Sequence, residues 1–246
     1  MKKRASKQTK IGILIVLALL AVLSIPLIVV SWPKYQEGCL SLSFDDGYES
    51  QYAIAYPLLK EKNFGATFFI IANETSFEGK VLMTQDEIKE IADNNFEIGS
   101  HTLTHPHLDQ LTSDTDIEKE LSESKKMLEE EYKISIEALA FPYWGQNEKV
   151  REIAKKYYAT VRDVRNKKDT FFLESWGLQK DTNVGEICSY IKLTKAQKLW
   201  TILVFHDISD NPRVWDISTE NFKKIIDCAK ESGIVVDSID GCKSRQ

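Results

Sequence analysis

The sequence predicts an α/β chain whose parallel sheet closes into a barrel, with one apolar membrane segment in front of it. Three observations carry that prediction. From Cys39 onward, short strand-like runs alternate with helical patterns, as expected of parallel strands joined by helical crossovers. Eight such runs can be counted, which favours a barrel over an open sheet. Ahead of them, the 20 residues 11–30 carry no charge, and at 1.5 Å rise per residue such a run spans ~30 Å, the thickness of a bilayer core.

The N-terminal elements follow in order. Residues 1–10 hold Lys2, Lys3, Arg4, Lys7 and Lys10 and no acid. The apolar run 11–30 is longer than the core of a cleaved signal peptide and ends in Ser31-Trp32-Pro33 rather than a small-x-small site. It is therefore read as an uncleaved signal-anchor, with Trp32 and Tyr35 as interfacial aromatics. The positive-inside rule leaves residues 1–10 in the cytoplasm as a basic tail and places the rest outside. Residues 31–38 read as a linker, and residues 39–246 as the folded domain.

Strand-like runs fall at 39–45, 65–71, 96–100, 137–141, 157–161, about 171–176, 200–205 and 233–238. Helical patterns occupy 50–62, about 147–156, 184–198 and 219–231. Thr84-Gln85-Asp86-Glu87 is a capping box opening a helix to about Asn94. Ser113 opens a longer helix to about Tyr132, with Ile117, Leu121 and Leu128 on one stripe. Gly233 reads as a helix stop.

Charge narrows the ligand. The formal net charge is −5, and setting aside the five cations of residues 1–10 leaves −10 on the remainder. Such a domain is ill suited to nucleic acid or an anionic membrane surface, and suits neutral or cationic substrates. The four cysteines, Cys39, Cys188, Cys228 and Cys242, form no CxxC pair, which argues against a zinc knuckle. Outside the cell they can pair. Cys39 opens the first strand and Cys242 follows the last, so a Cys39–Cys242 disulfide is one expectation, with free buried thiols as its alternative.

The chemistry gathers at strand ends, where barrels of this kind carry their active residues. Ser43-Phe44-Asp45-Asp46-Gly47 ends the first strand with two adjacent carboxylates, and like charges that close need a partner. By itself such a pair reads as a loop edge facing water. Three of the four histidines lie in His101-Thr-Leu-Thr-His105-Pro-His107, past the strand 96–100. If His101 and His105 share one helical turn, both face the same way and can grip a cation. Two imidazoles and a carboxylate make a three-ligand divalent metal site with a position left for water. His107 reads as a surface neighbour. His206, after the apolar run 200–205, is a candidate acid or base. Phe141-Pro142-Tyr143-Trp144-Gly145 ends another strand with aromatics, readable as a sugar-stacking wall or as a packed rim.

These motifs, in this order, resemble the polysaccharide deacetylase family, also called the NodB-homology domain or carbohydrate esterase family 4. Ser43-Phe44-Asp45-Asp46-Gly47 resembles its first motif, His101-Thr-Leu-Thr-His105 the second, Phe141-Pro142-Tyr143 with Gly145 the third, and Leu203-Val-Phe-His206-Asp207 the fifth. The resemblance implies a distorted (β/α) barrel of about seven or eight strands. It implies a divalent metal, zinc above others, on Asp46, His101 and His105, with Asp45 as the catalytic base and His206 as the catalytic acid. Tyr143, Phe141 and Trp176 are the implied substrate contacts. The substrate class it implies is an extracellular N-acetylated glycan: peptidoglycan, a chitin-like chain or poly-N-acetylglucosamine. A small amide substrate, or a non-catalytic carbohydrate-binding protein on the same scaffold, is the alternative.

Two departures matter. The third motif commonly carries an Arg that pairs with the catalytic Asp, and Ala140 and Phe141 occupy that region here. Arg162, at the end of the run 157–161, is the residue expected to reach in instead. The fourth motif is indistinct, with Glu174-Ser-Trp176 as its nearest match and Glu174 as a candidate for orienting His206.

Overall fold

The computed structural model describes residues 36–163 and 172–245. The basic tail, the apolar segment and most of the linker lie outside the described residues, so the expected membrane helix falls there too. Among the described residues no helix is long and apolar enough to cross a membrane.

The chain opens with β1 (Cys39–Phe44), then a π-helical turn, Gln51–Ala55, that runs on into α1 (Tyr56–Lys62). It continues through β2 (Thr67–Ile70), a small antiparallel hairpin of β3 (Ser76–Phe77) and β4 (Lys80–Val81), α2 (Gln85–Asp93) and β5 (Glu97–Ser100). Next come α3 (Asp114–Tyr132), β6 (Ala138–Ala140), α4 (Glu148–Ala154), β7 (Thr160–Asp163), β8 (Phe172–Glu174) and β9 (Trp176–Gly177). The last elements are α5 (Val184–Gln197), β10 (Trp200–Phe205), α6 (Thr219–Ser232), β11 (Val235–Asp237) and α7 (Ile239–Lys243).

All pairings in the main sheet are parallel, in the order β8-β7-β6-β5-β2-β1-β10-β9, with β11 beside the start of β1. β8 and β9 are one extended segment interrupted at Ser175. Its first half pairs with β7 and its second with β10, so the two margins of the curled sheet meet across this segment. Counted that way, seven strands form the curl. The eight expected runs map onto it with three changes. The run 171–176 is split in two, the run 233–238 is only a short flank of β1, and the run at 157–161 starts later, at Thr160. Tyr157 and Tyr158 belong to the turn after α4, and Tyr158 is buried with its hydroxyl donating to the Leu121 carbonyl at 2.7 Å.

Strand alternation sorts the side chains. Leu40, Leu42 and Phe44 of β1, Phe68 and Ile70 of β2, Leu139 and Phe141 around β6, and Leu203 and Phe205 of β10 join the main core together with helix residues such as Leu121, Ile191 and Phe222. The Phe44 ring stacks on Phe68 at 4.8 Å and on Phe205 at 5.3 Å. The opposite faces of the same strands form a second, smaller cluster of Phe69, Ala138, Ala140, Leu173, Ile202 and Ile239, which is the barrel interior. Ser41 and Ser43 face that interior and are fully buried. The Leu/Ser alternation that marked the first strand is thus a division between helix side and barrel side.

Both cysteine pairs are disulfides: Cys39–Cys242, as expected, and Cys188–Cys228, which joins α5 to α6. The first ties positions 203 residues apart, the second only 40. Loop-closure entropy ranks them. Replacing Cys39 and Cys242 together by alanine should cost about 4–5 kcal/mol, and the Cys188/Cys228 pair about 1 kcal/mol less; urea midpoints of the two double variants check both the size and the order.

Candidate active site

The site is built where β1, β5, β6, β7 and β10 end. Asp45 continues the inward-facing series of Ser41 and Ser43, and its amide donates to the Phe205 carbonyl at 2.9 Å. Asp46 then takes φ +71° and Gly47 φ +78°. This left-handed turn brings the second carboxylate to the barrel mouth as well, and the residue after Asp46 is one that adopts it at little cost. Both aspartates are buried.

His101 follows β5, with its amide bonded to the Ile70 carbonyl at 2.8 Å. The loop after it is not the helical turn expected from the spacing. Thr102 and His105 have φ of +68° and +60°, and the amide of His105 donates to Thr102 Oγ1 at 3.1 Å. Glu120 of α3 holds the loop from below, accepting from the amides of Leu103 at 3.0 Å and Thr104 at 2.9 Å. Pro106 is one physical reason for the loop, since it disfavours a helical conformation at His105. The outcome for the imidazoles is the one the helical turn would have given: their Nε2 atoms are 3.2 Å apart.

Asp46 Oδ1 lies 3.4 Å from His101 Nε2 and 3.1 Å from His105 Nε2. The trio is the group among the described residues whose ligand atoms all lie within 4.8 Å of one another. Three donors at these separations match the edges of a tetrahedron whose centre lies about 2.0–2.1 Å from each corner, the bond length of zinc to imidazole and carboxylate. His101 Nδ1 donates to the Ala140 carbonyl at 2.8 Å, which leaves the Nε2 lone pair facing the trio. Charge agrees. Burial opposes ionisation of Asp46, yet the hydrogen bonds and charges of His101 and His105 hold its carboxyl far below the usual carboxylate range. Burial likewise disfavours a charged His101, but Asp45 and Asp46 outweigh it and raise its proton affinity. Burial lowers that of His105. Two carboxylates against one guanidinium leave a surplus of negative charge that a divalent cation would neutralise. The residues therefore fit such an ion.

Arg162 supplies that guanidinium. Its side chain is fully buried, Nη2 bonds Asp45 Oδ2, and Nη1 donates to Ser175 Oγ at 3.3 Å. The guanidinium also lies 5.4 Å over the Phe69 ring. The expectation that Arg162 stands in for the absent arginine agrees with this geometry. His206 ends β10 with Nε2 3.9 Å from Asp45 Oδ2, the same separation that Asp45 keeps from His101. Gln51, which the sequence did not single out, is buried and joins the two halves: its Nε2 donates to the carbonyls of Asp45 at 2.5 Å and His206 at 3.2 Å. The side chain of Glu174 lies outside the described residues.

Two of the three expected substrate contacts are placed elsewhere. Phe141 is 2% exposed and packs in the main core, because alternation along β6 turns it to the helix side. Trp176 pairs in register with the outward-facing Leu203 and, half-exposed, lies tilted against Tyr190 of α5 with ring centroids 4.6 Å apart. Tyr143 is at the mouth, 47% exposed, with its ring 4.6 Å from His105 and stacked on His107 at 4.0 Å. The next residue, Trp144, sends its ring to Trp215, 5.0 Å away, and Trp215 lies 6.1 Å from His206. Tyr143 and Trp144 have φ of +53° and +52°. A bulky residue pays about 1–2 kcal/mol for that conformation. Of the ten non-glycine residues with positive φ among the described residues, Asp46, Thr102, His105, Tyr143 and Trp144 all border this mouth.

Comparison with known proteins agrees with the motifs. A family model described as polysaccharide deacetylase matches residues 33–161, more than half of the chain. The chain belongs to the polysaccharide deacetylase family. The polysaccharide deacetylase homologue YxkH of Bacillus subtilis (strain 168) is 33% identical over 123 residues, covering 50% of this chain and 43% of that protein. The poly-beta-1,6-N-acetyl-D-glucosamine N-deacetylase of Staphylococcus aureus (strain MRSA252) is 30% identical over 134 residues, covering 50% of this chain and 46% of the relative. The match thus spans a little under half the length of these curated relatives. Among solved structures, the Xyl-CE4 domain of a multidomain xylanase from the hindgut metagenome of Trinervitermes trinervoides superposes with TM-score 0.63 at 18% identity, covering 85% of this chain and 91% of the domain. That likeness is one of fold: a curled parallel sheet ringed by helices.

The deacetylase-family match ends at residue 161, so Arg162, His206 and the loop behind His206 all lie beyond it. That loop is tied to the β3–β4 hairpin by Lys80, whose Nζ contacts Asp207 Oδ2 at 2.6 Å and Asp216 Oδ2 at 2.7 Å. Ser50 Oγ donates to the other Asp207 oxygen at 2.5 Å. The hairpin reaches the metal-ligand side too, with Phe77 4.4 Å from the His105 ring. Lys80→Met would take the shared cation from two nearly buried carboxylates, leaving Asp207 with the Ser50 hydroxyl and Asp216 with Arg213. A loss of about 1–3 kcal/mol is expected, the scale of a charged hydrogen-bond partner removed from a partly buried group. Thermal melts of Lys80→Met and Lys80→Arg check this, with the arginine variant keeping most of the stability.

Proposed function

We propose that the chain is a metal-dependent hydrolase that removes N-acetyl groups from a β-linked N-acetylglucosamine polymer outside the cytoplasm. The observation that carries this reading is the convergence, at one barrel mouth, of the Asp46–His101–His105 trio with Asp45 and His206, two groups able to move protons. The N-deacetylase relative from Staphylococcus aureus supports the substrate class. The acidic balance of the chain suits a neutral glycan.

Asp46, His101 and His105 would hold a divalent ion, zinc being the first candidate from the donor set. When bound, such an ion polarises an amide carbonyl and makes water acidic near neutral pH. Asp45 is the base: its Oδ2 is held by Arg162, and its Oδ1 has no hydrogen-bond partner among the described residues, so that oxygen can accept a proton from water. His206 is the acid and gives a proton to the amine nitrogen as the C–N bond breaks. Its Nε2 lies 3.9 Å from Asp45 Oδ2, and His206 is more exposed than the other two groups around that oxygen, His101 and Arg162, so it is the one a substrate can reach. Gln51 fixes the backbones that carry Asp45 and His206 at one spacing.

The domain reading is part of this proposal: a cytoplasmic tail at 1–10, a signal-anchor at 11–30, a linker at 31–38 and the catalytic domain from 39. The two disulfides support an oxidising compartment for that domain. The test is acetate release by the full-length, detergent-solubilised chain from β-1,6- and β-1,4-linked N-acetylglucosamine pentamers. Release that stops on chelation and returns with zinc is expected. Pentamer binding without acetate would replace this reading with that of a carbohydrate-binding protein.

A further inference from the structure

Trp144 and Trp215 stand apart from the groups already assigned. Their rings meet edge to face at 72°, over the inward side of β9. Gly177 makes the seat: a Cβ there would lie 3.3 Å from Trp144 Cζ2 and 3.5 Å from Trp215 Cζ3. Trp215 is 40% exposed, yet its mount is stiff. Ile208 and Ile217 form a bridge, the amide of Ile217 donates to the Asp207 carbonyl at 3.0 Å, and Asp216 is held by Lys80. Trp144 keeps a left-handed backbone that glycine would adopt freely, and packing into the core does not account for it, because its ring lies against an exposed indole. An exposed aromatic on a rigid mount, next to a strained one, is what a stacking surface requires.

Adjacent residues also point to opposite banks. The Tyr143 ring lies on the histidine loop, whereas the Trp144 ring crosses to the His206 side. We infer that the exposed Trp215 ring, braced edge to face by Trp144, is a platform for the pyranose ring next to the one being deacetylated, so that the chain favours an oligosaccharide over a single sugar. The C–H face of a β-linked hexopyranose is flat and apolar enough to lie on indole, while its rim of hydroxyls stays in water. The inference rests on the glycan deacetylase reading and adds to it a subsite beside the acid.

The experiment compares kcat/KM for the β-1,6-linked N-acetylglucosamine pentamer with that for the methyl glycoside of N-acetylglucosamine. In Trp215→Ala the pentamer-to-monomer ratio should fall about tenfold, the scale of one aromatic stacking contact. Trp144→Gly should do the same at a backbone position that glycine tolerates, and Trp215→Phe should keep most of the ratio. A ratio unchanged in both Trp215→Ala and Trp144→Gly overturns the platform. Calorimetric titration of the pentamer runs beside it. If the wild-type chain releases no acetate, the hydrolase reading falls, and the platform is then judged on binding alone. Weaker pentamer binding by Trp215→Ala upholds it, and equal binding rejects it.

Discussion

Asp45→Asn should lower acetate release by about 10²–10⁴-fold, the usual contribution of a positioned general base, while the protein keeps its metal. Asparagine preserves the shape and still offers an oxygen to Arg162 Nη2. What it removes is the capacity to take a proton. His101→Ala should fail differently, by losing the ion, because His101 Nε2 is one corner of the trio. Turnover measured beside metal content per chain separates the two. Equal metal loss in both variants would mean that Asp45 and Asp46 do not divide the work as assigned.

Arg162→Met should be the most destabilising single change at the site. Its side chain is fully buried and its carboxylate partner nearly so. Removing one member of a buried pair leaves the other charge uncompensated, at a cost of about 3–5 kcal/mol. Urea unfolding of the metal-free protein reads this without interference from the ion. Arg162→Lys should recover only part of the loss. A lysine brings one compact charge, whereas the guanidinium reaches Asp45 and Ser175 together and lies over Phe69. A variant as stable as the parent would show that Asp45 finds another cation.

The sequence exposed the residues whose chemistry is rare and whose neighbours in the chain share it. Three histidines within seven residues, and two adjacent aspartates after a Leu/Ser strand, stand out in any chain with four histidines. Arg162 could be anticipated only through the family resemblance, which implies an arginine beside the catalytic Asp and finds none in the third motif here. Phe141 and Trp176 were misplaced because composition does not tell which face of a strand a residue takes; register does, and it turned both toward the helices. Gln51, Glu120 and Lys80 left no signal, since each acts on backbone or carboxylates that the fold brings to it, Gln51 on a carbonyl six residues back and on another 155 residues ahead. Glu120, for instance, holds Leu103 and Thr104 from 16 or 17 residues away, and Lys80 meets Asp216 across 136. Cys188–Cys228 was hidden for the same reason. Trp144 and Trp215, 71 residues apart in the sequence, meet over Gly177, whose missing side chain lets both rings lie close to the strand.

The register of β6 and β7 gives the buried guanidinium a further meaning. Ala140 and Arg162 are direct partners across these parallel strands, and both face the barrel interior. The smallest chiral side chain thus lies one strand away from the arginine and at the same height, inside a barrel where the guanidinium must reach Asp45. The two positions constrain each other. A bulky side chain introduced at Ala140 would meet volume next to that already filled by Arg162, and overpacking of a buried site is destabilising. The reach of the guanidinium therefore depends on how little its strand neighbour occupies.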